Sequence, residues 1–109
     1  MNPAAPAATF GCEVVELPDE VLITVTGEVD LRLTDEFRRC LGDATRPGKP
    51  LFIDLTAVSF IDGRGYRAIR AAASWLPRPD VTVTVAAGSE LAAAILQAIG
   101  GTAIRIQMT

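Results

Sequence analysis

The sequence predicts an α/β fold, in which a mixed sheet of about five strands packs against α-helices. Short runs of apolar and β-branched residues alternate with segments whose apolar residues recur at helical spacing, in the order β-β-α-β-α-β-α-β. A hairpin followed by strand–helix repeats predicts parallel neighbours joined by right-handed crossovers. Half of the residues are apolar and 21% are charged, which is typical of a globular core and not of disorder.

An antiparallel hairpin is predicted at the start of the domain. Phe10–Leu17 and Val21–Thr26 are rich in apolar and β-branched residues, and Pro18-Asp19-Glu20 between them is typical of a turn. Residues 1 to 8 are a Pro/Ala segment without periodicity, so we predict a flexible tail at 1–8 and a single domain at 9–109. The expected core positions of the second strand are Val21, Ile23 and Val25.

An amphipathic first helix is predicted from Thr34 to Ala44. Its apolar residues recur at helical spacing, with acidic residues early in the segment and basic residues later. We expect the helix to end between Gly42 and Pro47, since Gly and Pro interrupt helices there. The expected apolar face consists of Leu33, Phe37, Cys40 or Leu41, and Ala44.

A buried central strand and a second helix follow. Leu51–Leu55 is a continuous apolar run, and Thr56–Phe60 is expected to connect it to a helix that begins within Ile61-Asp62-Gly63-Arg64-Gly65. Asp62 is placed to accept hydrogen bonds from the first backbone N–H groups of that helix. The expected apolar side of this helix comprises Tyr66, Ile69, Ala73 and Leu76. We expect Pro77 and Pro79 to end the helix.

The last part of the chain predicts a strand, a helix and a final strand. Val81–Val85 alternates as a strand does, Ser89 is placed to cap the third helix, and Gly100-Gly101 ends it. The expected apolar face of the helix is Leu91, Ile95, Ala98 and Ile99. The final strand alternates Ile104, Ile106 and Met108 with polar residues.

Composition argues against several classes of function. The net charge of −3 and the pI near 4.8 disfavour nucleic acid as a partner, because phosphate backbones require clustered Lys and Arg. No apolar run approaches the ~18 to 20 residues that cross a bilayer, and the first residues lack the pattern of a targeting segment. We therefore expect a cytoplasmic protein without direct membrane insertion and without a cofactor.

Catalysis is not expected either. The chain has no His, and it has no Ser-Lys or Cys-His arrangement to supply a nucleophile and a base. We expect Asp54 and Asp62 to cap or brace the strand-to-helix loop, not to act as paired carboxylates. The glycines at Gly63 and Gly65 lack the third glycine of a dinucleotide-binding fingerprint. We predict no catalytic and no metal-binding residue.

The cysteines Cys12 and Cys40 lie far apart in the sequence. They show neither metal-ligand spacing nor a C-x-x-C motif, so we expect buried, reduced thiols. The alternative is redox control through this pair, which requires the first strand to lie within reach of the first helix.

Two stretches resemble the STAS domain family. Thr26-Gly27-Glu28-Val29-Asp30, ahead of the first helix, is similar to the family's Gly-x-Leu-Asp element. The segment from Leu51 to Gly65 resembles the STAS signature, an apolar strand ending in Asp-Leu-Ser and then Val-x-Phe-Ile-Asp-Ser-Ser-Gly. The resemblance covers roughly residues 10 to 108 and places Asp62 and Gly65 on family positions. It implies a STAS-like mixed sheet.

The resemblance to the family's anti-sigma factor antagonists also implies a function. Such proteins bind an anti-sigma factor with a serine-kinase fold and free the sigma factor that it holds, and phosphorylation of a Ser releases the antagonist. At the position of that Ser this sequence has Arg64, with Gly63 at the preceding Ser. For the nearest hydroxyls, Thr56 and Ser59, we expect structural roles. The hypothesis is an antagonist without a phosphosite in this loop.

Basic residues follow that loop at intervals of three along the second helix. One interpretation is a solvated basic face, and the other is a contact with an acidic patch on the partner. On the second interpretation, together with the resemblance, the partner-binding residues are Asp62, Gly63, Arg64, Gly65, Arg67 and Arg70.

A different class of function is an accessory subunit of a membrane lipid or anion transport complex. STAS domains without a phosphorylated Ser suit such a docking role. Neighbouring genes and co-purification, with a soluble kinase or with membrane, discriminate between the two.

Overall fold

The structure is a computed structural model that describes residues 10–29, 33–46, 48–74, 80–101 and 103–109. These residues form five strands and three helices in the predicted order. The strands are β1 (Gly11–Glu16), β2 (Val21–Val29), β3 (Leu51–Ile61), β4 (Val81–Val85) and β5 (Ile104–Met108), and the helices are α1 (Thr34–Ala44), α2 (Gly63–Ser74) and α3 (Glu90–Gly100). The predicted tail at 1–8, and Asp30, Pro47, Leu76, Pro77 and Pro79 of other predictions, lie outside the described residues.

The described strands form one mixed sheet in the order β1-β2-β3-β4-β5. Strand β1 is antiparallel to β2, and each later neighbour is parallel. Because each parallel strand lies next to its predecessor, right-handed crossovers place the described helices over the same face of the sheet. The predicted mixed α/β fold is confirmed.

The core lies between that face and the helices. Val21, Ile23 and Val25 of β2 are fully buried, as predicted, and they face the α1 residues Phe37 and Leu41, which are also fully buried. Alternate residues of the next strands complete the layer, since side chains on one face of a strand recur at every second position. They are Leu51, Ile53, Leu55, Val81, Val83, Val85 and Ile104.

Strands β2 and β3 are longer than predicted. The prediction of a connecting loop at Thr56–Phe60 is wrong, because β3 continues in parallel pairing with β2 as far as Ile61. The register shifts between Thr24 and Thr26 and again between Gly27 and Glu28, and each shift leaves an extra residue in β3. The residues of β3 after Leu55 are partly buried or exposed, whereas the hydrogen-bonded strand continues.

Gly27 lies at the second of these shifts. Its φ of 83° is in the left-handed region, which glycine adopts without a steric penalty. The register of β3 with β4 covers residues 51–54 only, so the described remainder of β3 extends past β4. This extension carries the chain to the start of α2.

The predicted apolar face of α3 is partly wrong. Leu96 is fully buried, whereas Leu91 is 75% exposed and Ala98 is exposed. The face that meets the sheet is therefore rotated from the predicted one, and Ile95 lies at its margin. Ser89 occupies the N-cap position as predicted, but its side chain makes no capping hydrogen bond.

The expectation of reduced thiols is also wrong for this structure. Cys12 of β1 and Cys40 of α1 form a disulfide, with 7.0 Å between their Cα atoms. Cys12 pairs with Val25, a buried residue of β2, so its side chain is on the face that α1 covers. Both cysteines are half-buried. Packing of α1 on the sheet therefore brings together two residues that are 28 positions apart.

Candidate partner-binding surface

Asp62 lies between β3 and α2 and fixes the start of the helix. Its Oδ1 accepts hydrogen bonds from the backbone N–H groups of Arg64 and Gly65, at 3.0 and 3.1 Å. Its own N–H donates to the carbonyl of Val29 at 3.1 Å, which ties the turn to β2. The predicted capping role of Asp62 is therefore confirmed, because it satisfies N–H groups that have no partner within the helix.

Gly65 is required by the close approach of α2 to the sheet. A Cβ atom at this position would lie 2.6 Å from Cγ1 of Ile61 and 3.3 Å from Cγ1 of Val29. Gly63, in contrast, has nothing within 4 Å of a built Cβ. The two glycines of the loop thus differ, since one is a packing requirement and the other lies in open space.

The arginines of α2 do not form one surface. Arg64, Arg67 and Arg70 are all exposed. Arg64 and Arg67 line a groove between α2 and α1, together with Arg38 of α1, and Arg70 does not. We call this groove, of about 400 Å³ and completed by the α2 residue Ala68 and its neighbour Ala71, the arginine groove. From the sequence we predicted one surface for the three arginines of α2, whereas in the structure Arg64 and Arg67 share a groove with Arg38 of α1.

An apolar groove lies on the other side of the start of α2, towards α3. Phe60 at the end of β3 is 52% exposed, and Leu91 of α3 is more exposed still. Both residues line this groove of about 320 Å³. Neither residue was predicted to lie at a functional site. From the sequence, Leu91 was assigned to the buried apolar face of α3, and Phe60 to the connecting segment within the STAS signature. The other lining residues are Val58, Ser59, Ile61, Tyr66, Ser89, Ala92 and Ile95.

Tyr66 belongs both to the hydrophobic core and to the lining of the apolar groove. It is buried among the core residues of α2, and burial raises the pKa of its phenol above the usual value. The hydroxyl therefore stays protonated at neutral pH, and the residue contributes an uncharged wall to the apolar groove.

The hydroxyls nearest the loop bond to the protein itself. Thr56 donates from Oγ1 to Oδ1 of Asp54 at 2.7 Å, and its backbone N–H donates to the same oxygen at 2.8 Å. Ser59 donates from Oγ to the carbonyl of Gly27 at 3.3 Å, across the second register shift. These bonds brace the irregular half of β3, which is the structural role expected for both residues. Asp54 also braces the chain, although within β3 and not in a loop.

The described residues offer neither a cluster of metal ligands nor a membrane-spanning helix. They contain no group of three or more His, Cys, Asp or Glu side chains that could hold a metal ion. Among the described helices, none is long and apolar enough to span a membrane.

Comparison with known proteins identifies the family. The family model of the STAS domain matches residues 12–106, so the chain belongs to the STAS domain family. An anti-sigma factor antagonist from Mycobacterium paratuberculosis has a similar fold, with a TM-score of 0.71 and 18% identity over 94% of this chain and 90% of that one. A comparison with curated protein sequences found no significant match.

A second similar structure is the anti-sigma factor antagonist SpoIIAA in its unphosphorylated form. Its TM-score is 0.61, with 17% identity over 93% of this chain and 87% of that one. At such identities the likeness shows the fold. It therefore confirms the STAS-like architecture expected from the two motifs.

Proposed function

We propose that this protein is an anti-sigma factor antagonist, which binds an anti-sigma factor in the cytoplasm and thereby frees a sigma factor for transcription. The observation that carries the proposal is the start of α2, where a capped helix terminus is exposed between an apolar groove and a basic one. Exposed apolar side chains rimmed by charge are typical of protein-binding surfaces. The family and the names of both structural neighbours, which are anti-sigma factor antagonists, support this role.

Release by phosphorylation at the family position does not form part of the proposal. Arg64 offers no hydroxyl, and its positive charge cannot stand in for a phosphoserine. The hydroxyl of Thr56 already donates to Asp54 within β3, and that of Ser59 donates to the carbonyl of Gly27 in β2. The antagonist therefore binds an anti-sigma factor of kinase-like fold without being released by modification of this loop.

The experiment combines binding with intact-mass measurement. The protein is incubated with ATP and each candidate anti-sigma kinase of its genome, and complex formation and added mass are recorded. We expect a stable complex and no added phosphate on the wild type. Arg64→Ser restores the family hydroxyl and is the matched variant that should gain phosphate. Phosphate on the wild type would refute the modification-blind mechanism, and absence of any complex would refute the function.

We also propose that the redox state of Cys12 and Cys40 controls binding. Disulfides in cytoplasmic proteins are commonly transient or redox-sensing, and this one ties β1 to the helix that carries Arg38. A groove of about 520 Å³ beside both cysteines gives a reductant access. A dithiol protein supplies two electrons and two protons, so the Sγ–Sγ bond breaks, two thiols form and the reductant becomes a disulfide.

Affinity for the anti-sigma factor, measured in oxidising and in reducing buffer, tests this control. We expect the two states of the wild type to differ, and the double variant Cys12→Ser/Cys40→Ser to show a single affinity in both buffers. Equal affinities of the oxidised and the reduced wild type would contradict redox control. Co-purification with membrane transport proteins, in place of a kinase, would favour the accessory-subunit alternative.

A further inference from the structure

We infer that the arginine groove is a docking site for an acidic segment of the protein partner. This inference rests on the proposed function, because it names the chemistry of the partner surface that the antagonist meets. The groove is lined by Arg38, Arg64 and Arg67, which two different helices bring together. The sequence prediction placed Arg64 and Arg67 on one surface but did not include Arg38.

Charge is the first argument. The whole chain carries a net charge of −3, yet no Asp or Glu is among the described residues that line this groove. Arg38 is paired with Asp35 at 3.3 Å, in a contact whose two side chains are 56% and 80% exposed. Arg64 and Arg67 have no carboxylate partner among the described residues. Like charges three positions apart on a helix repel each other, so an acidic occupant relieves an unfavourable arrangement.

The shape of the groove selects the occupant. Arginine presents a planar fork of N–H donors that matches a carboxylate bidentately. The small side chains of Ala68 and Ala71 leave a space of about 400 Å³, which exceeds the room that a single small anion needs. The arrangement therefore fits a segment that carries several Asp or Glu side chains better than it fits an isolated ion.

The helix terminus does not supply the binding groups. The N–H groups of Arg64 and Gly65 are already bonded to Asp62, so the donors that line the groove for an anion are the guanidinium groups. The carboxylate of Asp62 is directed into its own helix. Recognition by side chains alone predicts a strong dependence on salt, because exposed charge pairs are screened.

The test is a titration of the full-length protein with a short Asp/Glu peptide, followed by amide chemical shifts at low salt. We expect saturable shifts in the facing parts of α1 and α2, and none with the matching Asn/Gln peptide. The double variant Arg64→Ala/Arg67→Ala should weaken binding about three- to tenfold. Arg70→Ala removes the same charge from the same helix outside the groove, so it should bind the peptide as the wild type does.

Several results would overturn the inference. These are no saturable shift with the acidic peptide, an equal loss of binding in Arg70→Ala, and tighter binding of inorganic phosphate than of the peptide, which would indicate a simple anion site.

Affinity for the anti-sigma factor separates this inference from the proposed function. If Arg64→Ala/Arg67→Ala binds the anti-sigma factor like the wild type, the groove assignment fails and the function stands. If the wild type binds the peptide but no anti-sigma factor, the function fails.

Discussion

The carboxylate of Asp62 accepts the backbone N–H of Gly65 at 3.1 Å, so the residue that caps α2 is bonded to the residue that packs it against the sheet. Asp62→Ala removes the acceptor and should lower the free energy of unfolding by about 1 kcal/mol, within a range of about 0.5–2. Asp62→Asn keeps a capping oxygen and is the matched control. Urea denaturation measures both variants. Equal stability of Asp62→Ala and the wild type would show that the cap contributes nothing.

Gly65→Ala should destabilise the fold by about 1–3 kcal/mol, because its Cβ would overlap the Ile61 side chain. Gly63→Ala is the control in the same helical turn, where a Cβ meets open space and no destabilisation is expected. Thermal unfolding of the two variants compares them directly. A Gly65→Ala protein as stable as Gly63→Ala would contradict the close packing at this point.

The Cys12–Cys40 disulfide closes a loop of 28 residues in sequence separation. Reduction should lower the free energy of unfolding by about 2–4 kcal/mol, since the crosslink restricts the unfolded chain. Urea titrations with and without a dithiol reductant measure the difference. The variant Cys12→Ser/Cys40→Ser should give the same curve in both buffers. A wild type whose stability does not depend on the reductant would mean that the bond does not form in solution.

Glu16 at the end of β1 should give the stability a component that depends on pH. Lys49, whose Nζ lies 2.7 Å from Oε2 of Glu16, lowers the pKa of this carboxyl from its usual 4.5 by hydrogen bonding and by charge, and Arg46 adds to the effect. A carboxyl with a lowered folded pKa stabilises the fold above pH 4.5 and loses this contribution as the pH falls further. Glu16→Gln should therefore be less stable than the wild type at pH 7, and the difference should shrink at pH 3 to 4. Denaturant titrations of both proteins between pH 3 and pH 7 measure this difference in stability. A difference that does not change with pH would contradict the role of Glu16.

The fold was largely predictable from the sequence, because the periodicity of apolar residues carries most of the information. The alternation of Val21, Ile23 and Val25 fixes the buried face of β2, and the turn signal at Asp62 fixes the start of α2. The prediction was wrong for the second half of β3, where pairing with β2 continues although the last buried residue is Leu55 and Val58 and Ile61 are only partly buried. Thr56, Val58, Phe60 and Ile61 favour a strand, but the extra residues at the two register shifts interrupt the regular alternation by which a strand is recognised.

The candidate site was only partly predictable for a related reason. Arg38 joins Arg64 because α1 packs beside α2, and the exposure of Leu91 depends on the rotation of α3 about its axis. Both depend on how elements pack, and a single helix pattern does not contain that information. The bond between Cys12 and Cys40 has the same origin.

The proposed binding of the anti-sigma factor takes place at the surface around the start of α2. Its most direct test is the affinity of the wild type and of Phe60→Ala/Leu91→Ala for the cognate anti-sigma factor, measured by calorimetry. Both side chains are exposed, so we expect the variant to fold and to bind at least about tenfold more weakly, since truncation of interface anchors commonly costs more than 1 kcal/mol. Met108→Ala, at an exposed apolar residue of β5, should bind as the wild type does. Unchanged affinity of Phe60→Ala/Leu91→Ala, or an equal loss in Met108→Ala, would contradict the account.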